Sequence, residues 1–284
     1  MRPKCAGMLT RTGKESYRDG KLIYLNANLK VMKNLKQKIR SGEAVHGSWA
    51  NLGSALSAEI VGNAGFDWVL IDLEHGAGND GIMYQQLQAL ESTPAVPLVR
   101  IDDLSRPKAQ RILDAGALGI MFPRIDTADE AALAASMLFY PPRGIRGMAK
   151  MVRSSGFGRS VTDYESMQEY LIGVIQIETI HALKAIDSIA AIEGVDVLFV
   201  GPSDLTMALG IFNQFDHSSY QQAIKDVANA AKKHNKAAGV LLQDISEYGM
   251  YYSLGYKVLA CGGDAAFVSG GAANMVKQMK DSCK

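Results

Sequence analysis

From residue 45 onward, short runs of β-branched and apolar residues alternate eight times with longer segments whose apolar residues recur at helical spacing. That rhythm constrains the fold more than any other feature. Two parallel strands cannot be joined by a tight hairpin; they need a crossover, usually a helix, so repeated βα units predict a parallel sheet with helices outside it. Strands are expected near Val45–Trp49, Trp68–Asp72, Pro97–Ile101, Gly119–Pro123, Gly173–Glu178, Val195–Gly201, Ala237–Leu242 and Tyr256–Cys261. Helices are expected over Ser54–Asn63, Asp80–Ser92, Ser105–Ala115 and Thr127–Phe139, where Pro-poor interiors follow Ser, Asp or Thr starts suited to capping. The stretch Tyr140–Tyr170, with its Pro-Pro pair, glycines and arginines, breaks the rhythm and reads as a long excursion between the fourth and fifth strands.

Eight such units close most simply into a (β/α)8 barrel, and 284 residues suit one domain of that kind. An open doubly wound sheet shares many of these local patterns. However, no Gly-x-Gly-x-x-Gly follows the first strand, which weakens a dinucleotide-binding reading. With 48% apolar and 21% charged residues, the chain can bury a sizeable core. The net charge of +1 hides an asymmetry: residues 1–40 hold eleven Lys and Arg against Glu15 and Asp19, a net of +9 that leaves −8 on the remainder. An acidic body argues against nucleic-acid binding. No apolar run approaches the length of about 20 residues that a membrane helix needs. Cys5, Cys261 and Cys283 have neither metal-ligand spacing nor a disulfide pattern, so a reducing cytoplasm is the expected compartment. Residues 1–31 are treated as a basic extension, either an organellar targeting segment or a leader ahead of Met32, and residues 32–284 as the single barrel domain.

In a barrel of this type the chemistry gathers at the C-terminal ends of the strands. Polar residues coincide there repeatedly: Asp72, Glu74 and His75 after the second strand, Arg100 ending the third, Gln176 and Glu178 ending the fifth, and Asp204 in GPSDLT after the sixth. Glu178 and Asp204 are the preferred metal pair, because two carboxylates completed by water and substrate oxygens suit Mg or Mn, with Co or Zn as alternatives. Taken singly, each has a structural reading: a salt-bridged Glu at a strand end, or an Asp capping a helix that starts near Leu205. His75 is placed to move a proton near neutral pH, with Asp72 or another carboxylate to set its tautomer; a surface histidine beside acidic neighbours is the structural alternative. Arg100 offers a planar fork of donors for an oxo-acid oxygen. Gln176 and the turn Gly201, Pro202 and Ser203 complete the expected substrate-binding set. A Schiff-base route needs a buried lysine, but Lys236 and Lys257 fall at the starts of their strands, and Lys150 lies in the long excursion.

The segments GFDWVLIDLEHG, PLVRI, GALGIMFPRIDTADEA, YPPRGIRG, VIQIET and GVDVLFVGPSDL, in that order, resemble the HpcH/HpaI family of class II pyruvate aldolases, from about Lys33 to the C-terminus. The resemblance implies a TIM barrel of the pyruvate/phosphoenolpyruvate type. It also implies a reversible, divalent-metal-dependent cleavage of a 4-hydroxy-2-oxo acid to pyruvate and an aldehyde through an enolate. It assigns Glu178 and Asp204 to the metal, Arg100 to pyruvate, and His75 to base catalysis with Asp72 in support. It further implies that Asp114 of LDAG meets the histidine of a neighbouring subunit, in a homo-oligomer, commonly a hexamer, whose dimers exchange the last helix, here roughly Ala266–Lys280. Oxaloacetate decarboxylation, acyl-CoA cleavage and a non-catalytic ligand-sensing barrel are the alternatives. The basic leader and the MAKMVRSSGFGR segment depart from the family pattern and leave the substrate open.

Overall fold

The structure is a computed structural model that describes residues 35–159 and 164–283. The expectations for residues 1–31 lie outside the described residues. Eight parallel strands close into a barrel in sequence order: β1 (Val45–Ala50), β2 (Trp68–Asp72), β3 (Val96–Arg100), β4 (Gly119–Phe122), β5 (Ile172–Ile177), β6 (Val197–Val200), β7 (Ala237–Leu242) and β8 (Tyr256–Gly263). β1 closes the ring on β8 through Val45↔Val258 and its neighbours. Around them run α1 (residues 35–41), α2 (Ala55–Gly62), α3 (Asp80–Leu90), α4 (Arg106–Asp114), α5 (Ala128–Ser136), α6 (Tyr164–Gln168), α7 (Ile180–Lys184), α8 (Ile186–Ala190), α9 (Pro202–Ala208), α10 (Ser218–Lys233), α11 (Tyr248–Ser253) and α12 (Asp264–Asp281).

The helix starts follow capping chemistry. Ser54 and Asn79 accept from the backbone N–H three residues on, and Thr127 forms a reciprocal box with Glu130. Strand periodicity then sorts the side chains into two cores. One face of each strand packs against the helices, and the other fills the barrel with Leu70, Leu98, Met121, Val174 and Phe199. Trp49, Trp68 and Phe199 pack inside with ring centroids 5.7–6.3 Å apart, Trp68 edge-on to the other two and Trp49 tilted against Phe199. Gly47 makes room for them, since a Cβ there would lie 2.1 Å from the Trp68 ring. At the N-terminal end of the strands, Leu35 and Ile39 of α1 join the interior core, and buried Lys36 donates to the Leu171 carbonyl and pairs with Asp196 at 3.0 Å.

The long excursion begins after α5 and leads into β5, so it leaves at the N-terminal end of the strands, away from the face where the chemistry is expected. Arg146 is buried there against the Tyr140 ring and donates to Asp114 Oδ1 at 2.8 Å. The chain thus builds a packed barrel whose apolar interior separates the polar groups at the N-terminal end, Lys36 with Asp196 and Arg146 with Asp114, from those of the C-terminal rim.

Candidate active site

β2 and β3 pair with Asp72 opposite Arg100, which sets their last residues side by side. Asp72 is buried and accepts a two-pronged bond from Arg100, Nε to Oδ1 at 2.9 Å and Nη2 to Oδ2 at 2.7 Å. Asn51 Nδ2 (2.8 Å) and the backbone N–H groups of Glu74 (3.1 Å) and His75 (3.3 Å) complete its shell. Arg100 Nη1 lies 3.0 Å from Glu74 Oε2, although the angle is poor for a hydrogen bond. Burial opposes the Arg100 charge, but the Asp72 hydrogen bonds and the surrounding carboxylates outweigh it and raise its pKa. Arg100 is therefore a fixed cation held in one plane.

Across the mouth, Glu178 follows β5 with only 4% of its surface exposed. Its Oε1 accepts from the Arg124 backbone N–H at 2.7 Å and its Oε2 from Gln176 Nε2 at 2.6 Å. Gly201 brings β6 close: a Cβ there would stand 2.7 Å from Glu178 Oε2 and 3.1 Å from Gln176 Nε2. Pro202 is buried, and Ser203 and Asp204 are exposed in the first turn of α9, where Gly201 supplies the cap and no side chain does. Asp204 is thus not used as a cap. Desolvation pushes the Glu178 carboxyl up to about 7, against the Arg124 bond, and the charges of Asp204 and Glu74 push the same way. Burial likewise raises Glu74, partly offset by Arg100.

The site is thus rich in oxygen donors and short of positive charge. The charges of Asp204 and Glu74 act on Glu178, and Gln176 Oε1 is buried and unpartnered. Among the described residues no group of three or more His, Cys, Asp or Glu side chains is gathered so as to hold a metal ion. The donors present fit a hard divalent cation that keeps open positions for water and substrate, and not a closed structural zinc site.

A family model described as HpcH/HpaI aldolase/citrate lyase matches residues 46–269, nearly the whole barrel. The chain belongs to this family. It is 35% identical over 240 residues to a hydroxypyruvate/pyruvate aldolase of Paraburkholderia phytofirmans, covering 82% of this chain and 92% of that protein. It is 37% identical over 219 residues to a 5-keto-4-deoxy-D-glucarate aldolase of Escherichia coli, covering 77% and 85%. The crystal structure of a family member from Burkholderia cenocepacia superposes with a TM-score of 0.84 at 32% identity, over 87% of this chain and 99% of that one. HpcH/HpaI proteins of the pyruvate-aldolase class are carbon–carbon lyases, and the barrel described above is theirs.

Within this family member, the structure gathers Asp72, Arg100, Gln176, Glu178, Gly201, Pro202, Ser203 and Asp204 at one rim. His75 stands on the same rim with its side chain 67% exposed, and its Nε2 is 3.8 Å from Glu74 Oε1. Asp72 does not bond the His75 ring; its oxygens are taken by Arg100, Asn51 and two amides, so of the carboxylates expected beside the imidazole it is Glu74, at 3.8 Å, and not Asp72 that stands there. Asp114 lies apart, at the end of α4. The lysines go elsewhere: Lys236 Nζ donates to the Ile192 carbonyl, Lys257 Nζ sits 3.4 Å over the Tyr252 ring, and Lys150 is exposed in the excursion. Sequence reasoning passed over Asn51 and the Arg124 amide. Asn51 ends as a strand-terminal polar residue that could have been noticed, whereas nothing about an arginine signals a backbone N–H turned toward a carboxylate.

Proposed function

We propose that this protein reversibly cleaves a 4-hydroxy-2-oxo acid to pyruvate and an aldehyde, with a divalent cation, Mg or Mn, held by Glu178 and Asp204. The observation that carries the reading is the buried Glu178 carboxyl, pushed to about 7 beside Asp204. Such a group is costly as an anion unless a cation offsets it. When bound, the cation supplies a Lewis acid for the carboxylate and keto oxygens of the oxo acid.

The protein's own groups do the rest. Arg100, fixed in plane by Asp72 and Glu74, still has an N–H on each terminal nitrogen to hold the 2-oxo oxygen as negative charge grows there. Gln176 and the Gly201–Ser203 turn border the bound acid. His75 accepts the C4 hydroxyl proton as the C3–C4 bond breaks, the bonding pair stays with the pyruvate half, and a proton returned to C3 completes pyruvate.

Among the described residues the exposed imidazole has only Glu74 near it, at 3.8 Å, and makes no hydrogen bond, which supports completion of the site by Asp114 of a neighbouring subunit. α12 supports a homo-oligomer: past Asp264 it buries nothing, and Val268 (62%), Met275 (57%) and Met279 (63%) are exposed, as is Leu56 (66%) on α2. Exchange of α12 within dimers of a hexamer would cover these side chains. Cys261 and Cys283 are free thiols, in keeping with a cytoplasmic protein.

The test is pyruvate release from a panel of 4-hydroxy-2-oxo acids by chelated protein before and after Mg or Mn is restored. Turnover should vanish on chelation and return with the metal. Full activity of metal-free protein, or an imine trapped by borohydride, would refute the assignment.

A further inference from the structure

We propose that Asn51 is a positioning residue for the reaction: its side-chain amide holds Asp72, and with it the plane of Arg100, while its carbonyl holds the loop that carries His75. This rests on the aldolase reading above and names a residue that acts through two of the groups that reading uses.

Asn51 is the first residue past β1, on the catalytic rim, and it bonds in three directions. Its N–H donates to Asp264 Oδ1 at 2.7 Å, its carbonyl accepts from the Ala77 N–H at 2.8 Å, and its Nδ2 donates to Asp72 Oδ2 at 2.8 Å. An ionised carboxylate only accepts, so Asp72 dictates which end of the amide faces it. The oxygen that Asn51 binds is the one that also takes Arg100 Nη2, at 2.7 Å. The Asp72 side chain is fully buried, and that of Arg100 is 10% exposed. The amide therefore bears on the atom that orients the guanidinium, in a place closed to solvent.

The contact with the His75 loop is equally direct. Ala77 lies two residues past His75, and Gly76 between them folds flat against the strand ends: a Cβ there would stand 2.1 Å from the Asp72 carbonyl oxygen and 3.2 Å from that of Asn51. From the other loop, a Cβ on Gly53 would come within 3.1 Å of the Ala77 backbone. Backbone thus packs on backbone, with Asn51 joining the two loops. The fold has its own anchor here. Buried Asp264 accepts from the N–H groups of Asn51 and Leu52 and from the Ser57 hydroxyl, so the turn after β1 is held through its backbone, independent of the amide.

Two substitutions separate positioning from packing. Asn51→Ala deletes the amide and keeps both backbone bonds. Asn51→Asp keeps the shape but sets a second carboxyl against Asp72, with Asp264 on α12 and Glu74 beyond Asp72 of the same sign and only Arg100 opposed; its ionised form is disfavoured. Once protonated, it can donate to Asp72 Oδ2 as the amide does. The readout is Mg-dependent exchange of the pyruvate methyl protons in D2O, alongside Tm. In Asn51→Ala, kcat should fall roughly tenfold or more while the KM for pyruvate changes much less, because charge on the 2-oxo oxygen grows only on the way to the enolate. Asn51→Asp should match that loss near about pH 8 and recover toward wild type, compared at the same pH, by about pH 5.5, whereas the Asn51→Ala deficit stays constant. If Asn51→Ala does not fold, the recovery of Asn51→Asp decides alone. Wild-type kcat in Asn51→Ala, or an Asn51→Asp deficit that pH does not move, overturns the proposal and leaves the aldolase reading standing. Wild-type protein that cannot exchange these protons defeats the aldolase reading and this proposal with it.

Discussion

Glu178 shows how one side chain couples fold stability to ligand binding. Its carboxyl has a folded-state pKa of about 7 against an ordinary value of 4.5, so the fold prefers it protonated. A raised folded pKa contributes stability that is present in full below pH 4.5 and is lost as pH rises through 7. A shift of that size corresponds to about 3 kcal/mol at pH 8 in the absence of a cation. Glu178→Gln removes the ionisation and keeps an oxygen for the Arg124 N–H, so the chelated variant should melt several degrees above chelated wild type at pH 8, with the gap closing toward pH 4.5. Added Mn should raise the wild-type Tm and leave the variant nearly unmoved. Equal melting of the two chelated proteins at pH 8 would mean that the carboxyl is not strained by burial. The residue identity was plain in the sequence, because a Glu at the end of a barrel strand is a recognisable feature. The shift was not, since it depends on burial in the closed barrel and on the charges of Asp204 and Glu74, which come from other strand ends.

At the scale of elements, the strands that matched their expected bounds, Trp68–Asp72 and Ala237–Leu242, are those whose apolar runs stop where the pairing stops. Others shifted for identifiable reasons. β6 begins at Val197 and not Val195, because Gly194 at φ +91° turns the chain and the Val195 N–H bonds back to the Ile192 carbonyl. β8 runs on to Gly263, but Gly262 and Gly263 carry no side chain through which periodicity could show it. α5 stops at Ser136, short of the expected Phe139, ahead of Tyr140 and the Pro-Pro pair. The junction of β6 and α9 has the clearest functional consequence. Gly201 has φ −96°, open to any residue, and the atoms nearest an added methyl are side-chain atoms of Glu178 and Gln176. Gly201→Ala should therefore fold with a near-native Tm yet weaken Mn affinity by roughly tenfold or more, as the Glu178 carboxylate is pushed off its position. Calorimetric titration with Mn reads this directly, and an unaltered dissociation constant would remove Glu178 from the metal site or show that the junction gives way freely.

At the scale of the whole molecule, the candidate base His75 has only Glu74 beside its ring, at 3.8 Å, while Asp114, at the end of α4, bonds no imidazole among the described residues. Asp72 cannot serve, being saturated by Arg100, Asn51 and two backbone amides. Asp114 has one oxygen held by Arg146, its side chain reaches the surface, and Arg146 is itself buried under the Tyr140 ring. A carboxylate braced this firmly at a surface is suited to a partner outside its own subunit. If it completes a neighbour's site, His75→Ala and Asp114→Asn should each be nearly inactive alone, the second because the imidazole loses its orienting anion while the Arg146 contact is largely kept. Co-expressed with different tags and purified as hybrids, the two should recover activity, because a site that combines the intact His75 of one subunit with the intact Asp114 of the other lacks both lesions. Random assembly at equal expression gives about a quarter of the sites in that condition, whatever the size of a cyclic oligomer. Recovery near that fraction places Asp114 in trans. Hybrids no more active than the two parents mixed after purification would show that each subunit works with its own residues, and would return His75 to an exposed base oriented only by Glu74.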